Sequence, residues 1–208
     1  YYNPIGQTAQ SYYGTDLRGL VMGLKVVETP GKVFKYHSSC TQLLAFVVES
    51  ATGKTISEYA SEKLWKPTGA KHPALWNTDV EGGDEKGFCC LNSNARDFAR
   101  IGKLYMNYGN WNGNQILDTS YVKETTSVAE LLDKDGNKNI NYGYQFWLSN
   151  YKGLDIYYAR GLGGQYVICI PEKDIIVVRL GRKYGDKLED GHHQIFYQFI
   201  EAALEMYN

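Results

Sequence analysis

Apolar residues recur with helical spacing through most of the first two thirds of the chain. The first clear helix is marked by four residues at positions i, i+3, i+4 and i+7, which share one helix face: Cys40, Leu43, Leu44 and Val47. Ser38 or Ser39 is expected to cap the start of this helix, and Gly53 is expected to end it. The segment from Tyr1 to Lys32 is predicted to be loop, with a short helix within Leu20 to Val27.

Further helices follow along the chain. One is predicted from about Ile56 to Leu64, and Ser93 or Asn94 is expected to cap another that Gly109 closes. The apolar face of that helix is formed by Phe98, Ile101, Gly102 and Tyr105. A short helix is predicted near Thr119 to Thr126, whereas 70–91 is predicted to be a long irregular stretch. A closing helix is marked by Phe196, Phe199, Ile200 and Ala203.

After residue 140 the period becomes that of strands. Four short β-rich segments are predicted: Tyr144–Leu148, Ile156–Arg160, Gln165–Ile170 and Ile175–Leu180. Pro171–Asp174 is expected to form a hairpin turn between the last two. The order of helices, antiparallel strands and a closing helix predicts an α+β fold, with an antiparallel sheet flanked by helices. Residues 1–140 form its mostly helical and loop part, and residues 141–208 form its strands and closing helix.

Composition narrows the possible functions. The chain has 208 residues and is 43% hydrophobic and 22% charged, which is typical of a globular protein with one large domain. Its formal net charge of −1 gives no support for a nucleic-acid partner. No apolar run approaches the roughly 18 residues of a membrane span.

The four cysteines predict thiols rather than a structural framework. Cys89 and Cys90 are adjacent, Cys40 and Cys169 lie far from them, and no C-x-x-C pair exists. We therefore expect four buried or half-buried free thiols and no zinc site. The chain does not begin with Met, and we expect the N-terminus of the protein to lie upstream of Tyr1.

Several short motifs fail on inspection. Gly53-Lys54-Thr55 resembles the end of a P-loop, but the position at which that motif requires its first glycine is occupied by Val48. The acidic segment that begins at Asp133 has no bidentate Glu where a calcium loop needs it. His192 and His193 lack the spacing of a helical metal site and are expected at the surface or at a helix cap. We expect no metal and no organic cofactor.

A larger set of motifs points to one protein family, and most of these motifs lie before residue 103. It comprises Phe34-Lys35-Tyr36-His37-Ser38, Gln42-Leu43-Leu44, Ala51-Thr52-Gly53-Lys54, Leu64-Trp65-Lys66-Pro67-Thr68-Gly69-Ala70, Ala95-Arg96-Asp97-Phe98-Ala99-Arg100-Ile101-Gly102, and Gly161-Leu162-Gly163-Gly164-Gln165. As a set these motifs resemble the serine β-lactamase and penicillin-binding-protein superfamily. The resemblance is greatest to its class C-like branch, which includes esterases and 6-aminohexanoate-dimer hydrolases, and it covers the chain beyond about residue 15.

The resemblance implies an acyl-enzyme mechanism, in which the serine of an S-x-x-K motif attacks a carbonyl. Tyr36 matches the family's proton-relay tyrosine, and Ser38 matches the polar position two residues on. The segment from Ala159 to Gly161 takes the place of the family's K-T-G motif, so the Leu162 N–H is the expected oxyanion donor. Substrate contacts are expected from Arg160, Gly161, Gly163, Gly164 and Gln165. The alternatives are that Arg160 is a salt-bridge residue and that the glycines form a bulge between strands.

Two features depart from the family pattern. The nucleophilic S-x-x-K should precede Tyr36, and no such motif occurs before it; Ser120-Tyr121-Val122-Lys123 follows it and is rejected. We therefore expect the nucleophile upstream of this chain, which by itself is expected to be inactive. The K-T-G position also lacks Lys or His, which favours an esterase, amidase or peptidase over a β-lactamase.

The sequence therefore predicts the C-terminal portion of one β-lactamase-like domain, from a hydrolase of small ester, amide or peptide substrates. The alternative is a non-catalytic module of the same fold that binds a peptide or glycan. The family's habit favours a periplasmic or other extracytoplasmic location, and the oligomeric state stays open.

Overall fold

The computed structural model describes residues 6–207, and the predicted loop at Tyr1–Ile5 lies outside them. The chain divides into two compact units. Unit 1 comprises residues 1–69, 73–93 and 131–137, and unit 2 comprises residues 70–72, 94–130 and 138–208.

Unit 1 is helical. Its helices are α1 (Gln7–Tyr13), α2 (Leu17–Met22), α3 (Ser38–Thr52) and α4 (Ile56–Ala60). The last of these continues into a π-helical turn, Ser61–Trp65. The stretch predicted to be irregular contains a two-residue ladder between β1 (Leu75–Trp76) and β2 (Leu91–Asn92) and an isolated antiparallel bridge between Thr78 and Glu85. The predicted short helix after Leu20 is wrong in position, because α2 begins at Leu17, where the Asp16 carboxylate caps it by accepting a hydrogen bond from the Gly19 N–H.

Helix α3 buries a different face from the one that its apolar pattern marks. Its buried residues are Ser39, Gln42, Ala45 and Phe46. Phe46 packs with Leu17 and Val21 of α2, which form the small core of this unit. The segment at Gly87 approaches α3 closely, and this requires small residues, because a Cβ at Gly87 would lie 2.6 Å from the Cβ of Ala45. Leu43, Leu44 and Val47 consequently stay 44% to 54% exposed.

Unit 2 contains a four-stranded antiparallel sheet in the order β5-β6-β7-β8. Its helices and strands are α5 (Ala95–Met106), β3 (Asn110–Trp111), β4 (Asn114–Gln115), α6 (Thr119–Thr125), β5 (Trp147–Tyr151), β6 (Leu154–Gly161), β7 (Gln165–Ile170), β8 (Ile175–Arg179) and α7 (Gln194–Glu205). The α+β class with an antiparallel sheet is confirmed. The first strand begins three residues later than predicted, at Trp147.

Side-chain alternation along the strands gives the sheet two buried faces. Tyr158 and Ile168 lie on the face that packs against Phe196 and Ile200 of α7. Cys169 lies on the other face, where Tyr105 of α5 packs. Full burial of an aliphatic or phenylalanine side chain contributes roughly 1.5–3 kcal/mol each, so the two helix–sheet interfaces stabilise this unit.

The prediction of four buried or half-buried free thiols is wrong for three of the four cysteines and holds for Cys169. Cys89 and Cys90 form a disulfide bond with each other, while Cys40 is an exposed thiol and Cys169 a buried one. Cys90 takes a left-handed backbone conformation, with φ of 69°. Spacing rules that look for loops closed by distant cysteines give no signal for a bond between neighbours.

Among residues 6–207, no helix is both long enough and apolar enough to span a bilayer. The same residues contain no group of three or more His, Cys, Asp or Glu side chains placed to hold a metal ion.

Candidate active site

Tyr36 lies on the extended segment that leads into α3. This segment is held in unit 1 by backbone hydrogen bonds, from the Phe34 N–H to the Leu132 carbonyl at 2.7 Å and from the Leu132 N–H to the Lys32 carbonyl at 3.1 Å. The Tyr36 side chain is 43% exposed. The phenol is therefore accessible to a reacting group while its backbone is fixed.

Ser38 is the first residue of α3 rather than its cap. The N-cap is His37, in extended conformation and without a side-chain capping bond, so the prediction that Ser38 or Ser39 caps the helix is wrong. The His37 side chain is exposed. The hydroxyl of Ser38 is consequently not used as a helix cap.

Tyr36 and Ser38 open on one small polar cavity of about 200 Å³. Its wall is built from α1 as well as from α3. Gln7 donates a hydrogen bond from Nε2 to Oγ of Ser39 at 2.7 Å, and the buried Ser11 hydroxyl donates to the Gln7 carbonyl at 3.0 Å. The described lining residues are Gln7, Thr8, Ser11, Tyr36, His37, Ser38 and Ser39.

The described lining of this cavity contains neither lysine nor arginine. Lys35, the neighbour of Tyr36, forms an ion pair with Glu28. A phenol has an ordinary pKa near 10 and becomes a proton acceptor at neutral pH only beside a cation. A relay role for Tyr36 therefore requires a positive charge that these lining residues do not supply.

In unit 2, the glycine-rich motif forms the tight turn between β6 and β7. Gly161 pairs with Gln165, which leaves Leu162, Gly163 and Gly164 as the three-residue loop. Gly163 and Gly164 have φ of 79° and 76°, a conformation that favours glycine. Leu162 is 75% exposed, and the structure shows no hydrogen-bond acceptor among residues 6–207 for its N–H. This N–H is available to an oxyanion.

Arg160 lies on the face of the sheet that packs on α7. Tyr158 and Tyr166, the cross-strand partner of Arg160, lie on the same face. Its guanidinium carbon lies 5.8 Å from the centre of the Trp147 ring. Within the described part of the chain, no carboxylate lies within ion-pair distance of it. Arg160 is thus a half-buried cation beside the turn rather than half of a salt bridge.

The side chain of Gln165 turns away from the loop toward the segment after β8. Its Nε2 donates to the Gly181 carbonyl at 2.8 Å, and its Oε1 accepts from the Gly181 N–H at 3.0 Å. Arg179, at the end of β8, donates to the carbonyls of Gly163 and Gly164. These bonds hold the turn on its β8 side.

The predicted site residues thus fall into two groups, one in each unit. Unit 1 holds Tyr36 and Ser38; unit 2 holds Arg160, Gly161, Leu162, Gly163, Gly164 and Gln165. Sequence reasoning missed Gln7 and Arg179. Gln7 lies in a segment read as loop, and Arg179 had no signal beyond being a charged residue at a strand end.

The fold, with its helix-flanked antiparallel sheet, is shared with solved structures described as a β-lactamase and as a penicillin-binding-protein homologue. The β-lactamase family model matches residues 1–195. The chain therefore belongs to the β-lactamase family, and the resemblance inferred from the motifs is confirmed.

Two relatives share about a quarter of their residues with the chain. The 6-aminohexanoate-dimer hydrolase of Paenarthrobacter ureafaciens is 27% identical over 155 residues, which cover 71% of this chain and 38% of that protein. A structure from Bacillus anthracis, provisionally described as a 6-aminohexanoate-dimer hydrolase, is 27% identical with a TM-score of 0.83. That match covers 99% of this chain and 56% of the other.

A family VIII carboxylesterase shows the same fold at 16% identity and a TM-score of 0.61, covering 95% of this chain and 65% of the other. The chain spans between about two fifths and two thirds of the length of these relatives. The hydrolase of Paenarthrobacter ureafaciens is thus a relative in sequence, and the carboxylesterase shares the fold.

Proposed function

We propose that this chain is the C-terminal portion of a serine hydrolase that cleaves a small ester, amide or peptide through an acyl-enzyme. The observation that carries the proposal is that Tyr36 and Ser38 open on one polar cavity at the start of α3. Membership of a family that contains amide hydrolases supports it. The chain spans only part of these relatives, and the nucleophilic Ser-x-x-Lys is proposed to lie before residue 1.

In the proposed reaction, the serine oxygen bonds to the substrate carbonyl carbon as its proton passes to the Lys and Tyr36 pair. The lysine ammonium is the cation that the lining of the cavity lacks, and it would favour the phenolate of Tyr36. Ser38 would hold that amine or the substrate amide by hydrogen bonding. The proton then goes to the leaving alcohol or amine, and water repeats the sequence on the acyl-enzyme to regenerate the serine.

Charge that develops on the carbonyl oxygen would be stabilised by the Leu162 N–H together with the N–H of the nucleophilic serine. Such a donor contributes about 10²–10³-fold in kcat. Gly161, Gly163, Gly164 and Gln165 are proposed to let the substrate backbone lie along the turn. Arg160 is proposed to attract a substrate carboxylate. None of these steps draws on a metal or an organic cofactor.

Tyr36→Phe in the full-length protein tests the proposal, with p-nitrophenyl butyrate and 6-aminohexanoate dimer as substrates. We expect kcat to fall about 100-fold or more, the scale of a lost general acid–base group. Tyr121→Phe is the matched control, because Tyr121 is 48% exposed and lies on α6, outside the site. Intact-mass spectrometry with a penicillin or an activated ester should show one acyl adduct on serine.

A full-length protein that forms no adduct and hydrolyses neither substrate would overturn the proposal. If that protein binds a peptide or glycan, and Tyr36→Phe leaves the affinity unchanged, the non-catalytic module is the correct function.

A further inference from the structure

The guanidinium of Arg179 donates hydrogen bonds to backbone carbonyls rather than to a carboxylate. It donates from Nη1 to the Gly164 carbonyl at 2.5 Å and to the Gly163 carbonyl at 3.3 Å. Its Nη2 donates to the Lys183 carbonyl at 3.0 Å. Among residues 6–207 no carboxylate lies within ion-pair distance of it. The Phe199 ring, 5.5 Å from the guanidinium carbon, covers its face.

The turn is shaped around this guanidinium. A Cβ at Gly164 would lie 2.4 Å from Nη1 of Arg179 and 2.9 Å from the Lys183 carbonyl oxygen, so the backbone contact and the positive φ both favour glycine there. On the same side, the two hydrogen bonds between Gln165 and Gly181 join the start of β7 to the segment after β8. The carbonyls of two of the three loop residues are therefore fixed by one planar group.

We propose that Arg179 is a positioning residue for the Leu162 N–H. The inference rests on the proposed function, in which this N–H binds the oxyanion. Leu162 is exposed, and the pairing of Gly161 with Gln165 restrains its peptide on the strand side only. In a three-residue loop, fixing the carbonyls of Gly163 and Gly164 leaves the preceding peptide plane little freedom. Preorganised donors stabilise a transition state because they need not reorient as charge develops, so looseness here lowers kcat.

The test compares Arg179→Ala and Arg179→Lys with the parent full-length protein. Arg182→Ala is the matched control, because Arg182 is an exposed arginine in the next segment. We expect Arg179→Ala to lower kcat about 10–100-fold, with KM changed less than about threefold. Arg179→Lys should recover little of the lost kcat, since an ammonium group lacks the planar fork of a guanidinium. Added guanidinium ion should restore part of the lost kcat in Arg179→Ala and none in Arg182→Ala.

A second readout separates positioning from general destabilisation. The preference for an oxo ester over its thiono ester reports on oxyanion hydrogen bonding, because sulfur is the weaker acceptor. We expect this preference to shrink in Arg179→Ala and to persist in Arg182→Ala. An active parent whose Arg179→Ala variant keeps its kcat and its oxo preference overturns this inference and leaves the proposed function intact. A parent that forms no acyl-enzyme overturns both.

Discussion

Tyr158 and His192, 34 residues apart in the chain, are joined by a hydrogen bond of 2.9 Å between the phenol oxygen and Nε2. Tyr158 is buried in the centre of β6, where it is 2% exposed. The other ring nitrogen of His192 lies 3.3 Å from a carboxylate oxygen of Asp190 and 3.3 Å from the Tyr197 hydroxyl. The prediction of a surface or capping position therefore holds for His193, the N-cap of α7, and is wrong for His192, which ties the segment before α7 to the sheet.

This arrangement predicts that the stability of the protein depends on pH through His192. Burial lowers the pKa of His192 from its ordinary value of 6.5; the Asp190 carboxylate opposes this, and the Arg160 cation adds to it. Because the folded pKa is depressed, the unfolded chain takes up the proton more readily. The free energy of unfolding should therefore fall as pH drops below 6.5, and denaturant unfolding between pH 5 and 8 measures it.

His192→Gln should flatten this dependence between pH 5 and 6.5. His37→Gln, at an exposed histidine that starts α3, should keep it. A parent whose stability is constant from pH 8 to 5 would contradict the assignment.

Asp97 predicts a separate loss of stability in acid. Its carboxylate is fully buried and accepts hydrogen bonds from the Lys71 and His72 N–H groups, the Asn94 amide and the Arg100 guanidinium. Burial would raise the pKa of Asp97, but these hydrogen bonds hold it well below its usual range. The stabilisation is present above the unfolded pKa near 3.9 and lost as pH falls below it.

Asp97→Asn should lower the free energy of unfolding at pH 7 by about 2 kcal/mol, since it weakens the hydrogen bonds from the backbone N–H groups and from the half-buried Arg100 guanidinium to a charged acceptor. Urea titration at pH 7 and pH 3 is the measurement, and the difference between variant and parent should narrow at pH 3. Asp135→Asn, at an exposed turn, is the control and should change stability by less than about 0.5 kcal/mol.

The tight packing around Gly102 on α5 predicts that a larger residue is not tolerated at this position. A Cβ there would lie 3.1 Å from Sγ of Cys169, 3.1 Å from Cγ2 of Ile176 and 3.3 Å from Cγ1 of Val167. Gly102→Leu should lower the free energy of unfolding by about 2 kcal/mol, although leucine has the better helix propensity by up to about 1 kcal/mol. Arg96→Leu, on the exposed side of the same helix, should be near neutral, and equal thermal midpoints for the two variants would refute the packing argument.

The disulfide between Cys89 and Cys90 predicts a pattern of alkylation. In protein purified without reductant, native treatment with iodoacetamide should add one group, at the exposed Cys40. Burial raises the pKa of the Cys169 thiol to about 12, so it should react only after denaturation, giving two adducts in total. Reduction before alkylation should give four by mass spectrometry. Four adducts in the unreduced, denatured protein would show that the bond is absent.

The strand and helix patterns of unit 2 predict its architecture, although α5 also buries Asp97 and Leu104, which lie outside the face that its apolar pattern marks. The closing helix buries Phe196 and Ile200, and Asn94 caps α5 as expected. In α3 the same rule identified the helix but not its buried face. A small-residue contact between Ala45 and Gly87 decided that face, and neither residue stands out in an apolar pattern.

The sequence by itself determined the family, the α+β class and the candidate residues Tyr36, Ser38 and Leu162, because these depend on local order and on motifs that are contiguous in the chain. Only the tertiary structure decided what surrounds them. Gln7 at the polar cavity and Arg179 at the glycine turn reach their partners through contacts between distant segments. Local propensity carries no information about such contacts, because they form only when separate elements pack together.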